Sequence, residues 1–135
     1  MEGVDFRTIG YFRQRLETLK TVRRGVYSTA EDEIRQEFSR KDIEEIRINN
    51  DMVLIEGDTV VIKLRLPDRK HRLSKRDGYR LIYLVSKVKP VVAFLDIYPK
   101  NGPMQQLDET DAELKNLVML FVQEAQQGLL EDFNM

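Results

Sequence analysis

The chain has 135 residues, the usual length of one domain, and a formal net charge of −1 at neutral pH. Apolar residues make up 41% of it, enough for a small core, but no run of about 18 apolar residues could span a membrane, and the first residues lack the apolar stretch of a signal peptide. The absence of cysteine excludes disulfides and thiolate metal sites, and a single histidine argues against a histidine-based metal site. These features predict a cytoplasmic protein without cofactor or structural metal.

The charge is unevenly distributed along the chain. Residues 63–100 hold 11 lysines and arginines against three acidic residues, a balance of +8. Residues 101–135 have a balance of −6, and residues 1–62 a balance of −3. A basic middle followed by an acidic segment predicts a local anion-binding site and argues against a surface that is basic throughout.

The N-terminal part has the apolar spacing of helices. Ile9, Phe12, Leu16 and Leu19 recur at three and four residues, which predicts a helix over about residues 8–24. A second helix is predicted to begin at residues 28–31 (STAE), which have the spacing of a capping box with Ser28 as N-cap.

The end of this helical region is less sharply defined. The second helix either continues through Ile43 and Ile46 or restarts as a short helix after residues 39–42 (SRKD), and Asn49-Asn50 ends it. The sequence thus predicts a helical hairpin over about residues 8–48.

The apolar period then changes from 3.6 to 2, which predicts a sheet over about residues 52–100. Residues 52–56 and 59–66 read as a β-hairpin around Gly57-Asp58. Residues 79–85 and 91–98 are apolar and rich in β-branched and aromatic side chains, as expected of a central strand pair.

The connection between these two strands suggests a register. A turn centred near Val88 would pair Arg80 with Asp96. Because alternate residues share a face, Tyr98 and Lys100 would lie on the same side of the sheet as this pair.

A C-terminal helix is predicted over about residues 109–127. Thr110 and Glu113 have capping-box spacing, an apolar stripe follows, and Gly128 interrupts the pattern. The order of elements predicts one α+β domain over residues 1–135, with an N-terminal helical hairpin, an antiparallel sheet of three or four strands and a C-terminal helix.

Three short motifs in fixed order resemble the RelE/HigB superfamily of type II toxin–antitoxin toxins. They are residues 78–83 (GYRLIY), residues 97–100 (IYPK) and residues 107–111 (LDETD), and the strand and basic loop at residues 62–76 precede them. The similarity covers about residues 60–118. It implies a RelE-like fold, with HigB-like members closest.

The resemblance also implies a function and partners. Members of this family are mostly metal-independent endoribonucleases that cleave mRNA, often on the ribosome, and a small antitoxin neutralises them. The expected partners are therefore a cognate antitoxin, mRNA and the ribosome, in a hetero-oligomer with the antitoxin. An acidic antitoxin segment is expected near Lys63, Arg65 and residues 72–80.

Metal-free cleavage of RNA needs a base near the 2′-hydroxyl, a proton donor for the leaving oxygen and cations for the phosphate. Arg80 is the predicted ligand of the scissile phosphate, because its planar fork binds phosphate with two hydrogen bonds. Lys75 and Arg76 are expected to clamp flanking phosphates or supply the base, and Tyr98 to stack on a base or transfer a proton. Further RNA-binding residues are predicted to be Lys63, Arg65, Lys70, Arg72 and Lys100.

Simpler interpretations stay open for each of these residues. The basic loop, residues 69–78, has the composition of a solvated loop, Arg80 and Asp96 have the charges of a structural ion pair, and Tyr98 can cap the end of a strand. His71 is either a general base, since histidine titrates near neutral pH, or a solvent-exposed bystander.

Two other functions compete with the endoribonuclease. The first is a catalytically weak or inactive RelE-like module that binds a protein partner or RNA, which the net acidity and Asp96 favour. The second is an interaction protein whose acidic C-terminal helix docks a basic partner.

Overall fold

The computed structural model describes residues 3–48 and 52–135. It contains, in chain order, the elements β1 (Asp5–Thr8), α1 (Gly10–Lys20), α2 (Ala30–Phe38), α3 (Ile43–Arg47), β2 (Met52–Glu56), β3 (Thr59–Leu66), β4 (Tyr79–Ser86), β5 (Val91–Pro99), α4 (Asp111–Gln127) and β6 (Glu131–Asp132). The α+β class, the N-terminal helices and the C-terminal helix are confirmed. None of the helices in the described ranges has the length and apolar character needed to cross a membrane.

The sheet has six strands in the order β2-β3-β4-β5-β1-β6. β1 runs parallel to β5, from Asp5 opposite Val91 to Thr8 opposite Phe94, and the other neighbours are antiparallel. The predicted number of three or four antiparallel strands was therefore too low. β1 and β6 are only four and two residues long, too short to show an alternating pattern in the sequence.

The helical hairpin is divided into three helices, with a 3₁₀ turn at Arg23–Gly25 after α1. α2 is preceded by Thr29 rather than Ser28, and the Thr29 side chain does not cap the helix. Its hydroxyl instead donates to Asp68 Oδ1 over 2.7 Å. α3 restarts after Asp42, whose capping box with Glu45 settles the open alternative in favour of a separate helix. The predicted stop at Asn49-Asn50 lies outside the described residues.

The register between β4 and β5 differs from the prediction. Arg80 lies opposite Tyr98, and Asp96 lies opposite Ile82. The turn is centred slightly beyond Val88, and an irregularity between Ile82 and Tyr83 displaces the pairing again. The residue opposite Arg80 is therefore Tyr98, two positions beyond the predicted Asp96. Because two positions is an even number, Arg80, Asp96 and Tyr98 still share one face of the sheet.

The two faces of the sheet have different cover. α2 packs on one face, where the ring of Phe38 meets those of Tyr83 and Phe94 at centroid distances of 5.3 Å. The segment of residues 101–110, here called the strap, begins beside Tyr27 at the end of β5 and continues onto the opposite face, where Tyr98 and Asp108 meet. Since successive strand residues point to opposite faces, Tyr79 lies on the helical face and Arg80 on the strap face.

Candidate nucleic-acid interface

The basic loop between β3 and β4 has a defined shape. Asp68 and Leu73 exchange two backbone hydrogen bonds of 3.0 and 2.9 Å, which close a tight turn over residues 69–72. Arg72 is held in the left-handed region at φ +62, which is uncommon for a residue with a side chain. The side chains of Lys70 and Arg72 are exposed at the tip of this turn, and those of Lys75 and Arg76 are exposed further along the loop.

His71 is oriented by a buried carboxylate. Its Nδ1 lies 2.7 Å from Oδ2 of Asp68, whose side chain is 3% exposed, while the imidazole itself is 35% exposed. Asp68 also accepts from the hydroxyls of Thr29 and Tyr79. The hydroxyls of Thr29 and Tyr79 and Nδ1 of His71 thus surround the Asp68 carboxyl group. Donation from Nδ1 to Asp68 is the arrangement that leaves Nε2 of His71 free to accept a proton.

Tyr79 anchors this network from the sheet. Its hydroxyl lies 2.9 Å from that of Thr29 and 3.3 Å from Asp68. Burial, and then the charge of Asp68, raise the pKa of Tyr79 well above its usual value. The Tyr79 hydroxyl therefore stays protonated and remains a donor to the carboxylate.

A second contact fixes the same loop to α2. The buried carboxylate of Glu33 accepts from the backbone N–H of Arg69 over 2.8 Å and pairs with its guanidinium. Arg69 is thus engaged within the protein and holds the start of the tight turn.

Arg80 lies on the other face and has a structural position. It is 5% exposed, and its guanidinium donates to the carbonyl oxygens of Lys75 (2.9 Å), Arg76 (2.8 Å) and Tyr79 (3.1 Å). Gly78 permits this arrangement, because a Cβ there would collide with the carbonyl oxygen of Leu66. The structure therefore places Arg80 where it holds the second half of the basic loop, with its charge directed at the backbone.

Tyr98 and two predicted RNA-binding lysines surround an acidic residue of the strap. Asp108 accepts from the Tyr98 hydroxyl (3.2 Å) and lies 3.3 Å from Nζ of Lys100 and 3.2 Å from Nζ of Lys63. Partial burial acts to raise the pKa of Asp108, but the hydrogen bonds and charges of both lysines outweigh it and hold that pKa below its usual value. Three predicted RNA ligands thus form an anion site that Asp108 occupies.

Asp96, expected opposite Arg80, pairs instead with a residue of α1. It is fully buried and accepts from Nε of Arg15 over 3.0 Å and from its neighbouring backbone N–H over 2.8 Å. Arg80 was the wrong partner, because the observed register places Tyr98, and not Asp96, opposite Arg80.

Asp96 also lies beside a second carboxyl group. Oδ2 of Asp96 and Oε2 of Glu109 are both buried without an N–H or O–H donor of their own. A proton shared by the two carboxyls satisfies both oxygens. Burial, and then the hydrogen bond and charge of Asp96, raise the pKa of Glu109 far above its usual value. Glu109 is therefore the protonated member of the pair at neutral pH.

No family model, curated protein or solved structure matches the chain. The function proposed below therefore rests on the arrangement of side chains and on the order of the sequence motifs. Within residues 3–48 and 52–135, no three histidine, aspartate or glutamate side chains are grouped to hold a metal ion.

The predicted site residues fall into three groups. Exposed cations are found at Arg65, Lys70, Arg72, Lys75 and Arg76. Lys63, Tyr98 and Lys100 surround Asp108, and Arg80 supports the loop. The sequence leaves the role of His71 open and does not single out Asp68 as its support, although it does show their spacing of three residues.

For the RNA binding that the sequence predicts, replacing Asp108 with asparagine is expected to raise the affinity about three- to tenfold. The change keeps the shape of the side chain but frees the charges of Lys63 and Lys100 for phosphate. The dependence of affinity on salt should steepen as well, by about 0.7 in the log–log slope for each phosphate newly neutralised on a single strand. Fluorescence anisotropy with a labelled RNA oligonucleotide at several salt concentrations measures both effects.

Asp111→Asn is the matched control. It removes the same charge three residues along the chain, where the side chain is exposed at the start of α4. Equal effects from the two variants would mean that net charge, and not the occupied anion site, controls RNA binding.

Proposed function

We propose that the chain is the toxin of a type II toxin–antitoxin module and a metal-independent endoribonuclease that cleaves mRNA in the cytoplasm, on the ribosome. The observation that carries the proposal is a histidine, oriented by a buried carboxylate, at the tip of a loop with four exposed cations besides Arg69. The motif order that resembles RelE/HigB toxins supports it independently.

His71 has the geometry of the general base. With Nδ1 committed to Asp68, Nε2 takes the proton of a ribose 2′-hydroxyl. The 2′-oxygen then attacks the adjacent phosphorus, the bond to the 5′-oxygen breaks, and a 2′,3′-cyclic phosphate forms. A solvent water molecule donates a proton to the leaving 5′-oxygen and His71 returns its proton to solvent, so that one product ends in a 5′-hydroxyl.

The exposed cations of the basic loop bind the RNA backbone. Lys70 and Arg72 flank His71 in the chain, and Lys75 and Arg76 follow on the half of the loop that Arg80 holds. Asp68 and Arg80 already hold the two halves of the loop in place. The loop therefore loses little conformational entropy when RNA binds. In this proposal Arg80 is a positioning residue.

The expected antitoxin covers the same cations. An acidic segment laid over the basic loop would block access of RNA to His71 and neutralise Lys70, Arg72, Lys75 and Arg76 together. Partner and substrate thus compete for one surface.

A protein that binds RNA or a partner without cleaving it is the second candidate. Arg80 and Tyr98, the residues first expected to perform the chemistry, are engaged with the protein's own carbonyl and carboxylate groups. The two candidates differ in whether the phosphodiester bond is broken.

His71→Gln is expected to lower the rate of RNA cleavage by about 10²–10⁴-fold, the usual contribution of a general base. The measurement is the appearance of 2′,3′-cyclic phosphate ends on a defined RNA oligonucleotide, with the binding constant measured in parallel. Because His71 is the only histidine of the chain, its ring nitrogens can also be assigned by NMR without ambiguity, which tests the proton on Nδ1.

Lys70→Gln, one residue away, is the matched control: it is expected to weaken RNA binding and leave the rate at saturating RNA almost unchanged. Growth arrest on expression, relieved by the product of the neighbouring gene, tests the toxin role in cells. Intact RNA binding with no cleavage by the unaltered protein would favour the second candidate.

A further inference from the structure

A pocket of about 340 Å³ opens beside His71, on the helical face of the sheet. Its volume lies at the lower end of the range of about 300–1,000 Å³ found for small-molecule sites. The walls are largely apolar and aromatic, and are formed mainly by Val26, Tyr27, Leu73, Tyr79 and Pro99. The pocket therefore suits a ring that exposes apolar faces.

The wall on the side of the strap is preformed. The Tyr27 hydroxyl donates to the carbonyl oxygen of Asn101 over 2.7 Å and accepts from the backbone N–H of Met104 over 3.0 Å. Gly102 passes so close that a Cβ there would lie 2.5 Å from this hydroxyl. The edge-on contact between Tyr27 and Tyr79, with ring centroids 6.4 Å apart, fixes the other side.

Polar groups at the rim indicate the class of ligand. Arg24 and His71 contribute cationic or hydrogen-bonding groups, and Asp77 and Asn101 contribute donors and acceptors. The base of a nucleotide has apolar faces, polar edges and a phosphate one sugar away, so it matches both the walls and the rim.

We infer that this pocket binds the base of an RNA nucleotide next to the bond that His71 attacks. The inference rests on the proposed endoribonuclease function and adds a base-binding subsite to it. Tyr27 and Tyr79, whose rings contact each other edge-on, form one part of its wall, and the phosphate of the bound nucleotide lies towards Arg24 and the basic loop. The subsite holds the RNA by its base, which places the ribose 2′-hydroxyl towards His71.

The test uses nucleotides and fragments that lack the base. Uridine 5′-monophosphate and adenosine 5′-monophosphate are titrated into the full chain, with ribose 5-phosphate and inorganic phosphate as base-free probes. Backbone amide signals of Gly78 and Gly102, both in the pocket wall, report on binding by NMR. We expect at least one nucleotide to shift both signals, and neither base-free probe to do so.

Two variants fill the pocket. Leu73→Trp and Val26→Trp are each expected to weaken nucleotide binding by at least about tenfold. Two are used because either change alone can disturb folding, which circular dichroism detects. Val88→Trp is the control, since it adds the same ring at a position that is 69% exposed on the connection between β4 and β5.

The outcomes separate the inference from the function on which it rests. Equal shifts with nucleotides and ribose 5-phosphate, or unchanged nucleotide binding in both folded tryptophan variants, would overturn the base subsite while leaving RNA cleavage by His71 intact. Nucleotide binding in the pocket by a protein that does not cleave RNA would support the subsite and reject the endoribonuclease.

Discussion

Arg80→Met is expected to lower the free energy of unfolding by about 3 kcal/mol, because it removes charge-assisted hydrogen bonds to three carbonyl oxygens in a buried position. Methionine keeps most of the apolar stem, so the loss reports mainly on the guanidinium. Denaturant unfolding measures the change, and hydrogen exchange should show faster opening of the loop at residues 74–78.

Arg65→Met is the control for this variant. Arg65 lies directly opposite Arg80 in the pairing of β3 with β4, but its side chain is exposed, and its loss should change stability by less than about 0.5 kcal/mol. If Arg80 instead contacts the scissile phosphate, Arg80→Met would abolish cleavage and leave the unfolding free energy unchanged. The change in the free energy of unfolding therefore separates the two roles.

Glu109→Gln is expected to stabilise the protein at alkaline pH and to have little effect at acidic pH. In the unfolded chain this carboxyl titrates near 4.5, whereas burial and the neighbouring Asp96 raise its pKa in the folded protein. Between these two values the folded protein retains a proton that the unfolded chain has lost. Stability of the unaltered protein therefore falls as pH rises through this interval, by up to about 1.4 kcal/mol per pH unit.

Glutamine supplies an N–H donor to Asp96 at every pH, so the variant should lose most of that slope. We expect the free energy of unfolding of the variant to exceed that of the unaltered protein by roughly 2 kcal/mol at pH 8, after allowing for the partial exposure of Glu109. The groups facing this carboxyl are Asp96 of β5, Arg15 of α1 and Glu113 of α4.

Denaturant unfolding between pH 5 and pH 9 gives the two profiles. The pH profile of stability for the control Glu17→Gln, at an exposed position of α1, should run parallel to that of the unaltered protein. Parallel profiles for Glu109→Gln as well would show that the two carboxyls do not share a proton.

The sequence predicted the elements with strong periodic patterns. The hairpin of β2 and β3, the central strands β4 and β5, and the capping box of Thr110 and Glu113 are confirmed. Each depends on local spacing, which a single sequence displays. β1 and β6 were missed because they are short strands that are stabilised by pairing with residues distant in the sequence.

The candidate site was predictable in composition but not in contacts. Charge distribution placed the exposed cations Lys70, Arg72, Lys75 and Arg76 on one loop, and this is where they lie. The burial of Arg80 depends on how the chain folds back at residues 75–76, and the occupation of Lys63 and Lys100 depends on a strap from a later part of the chain. Neither is encoded in local spacing.

The position of β1 has a consequence for how the protein is made. β1 obtains both of its neighbours, β5 and β6, from residues 91–132. During synthesis the first strand must therefore wait until that part of the chain has emerged before it can pair, and such distant contacts form slowly. A nascent chain thus carries the basic loop before its sheet is complete.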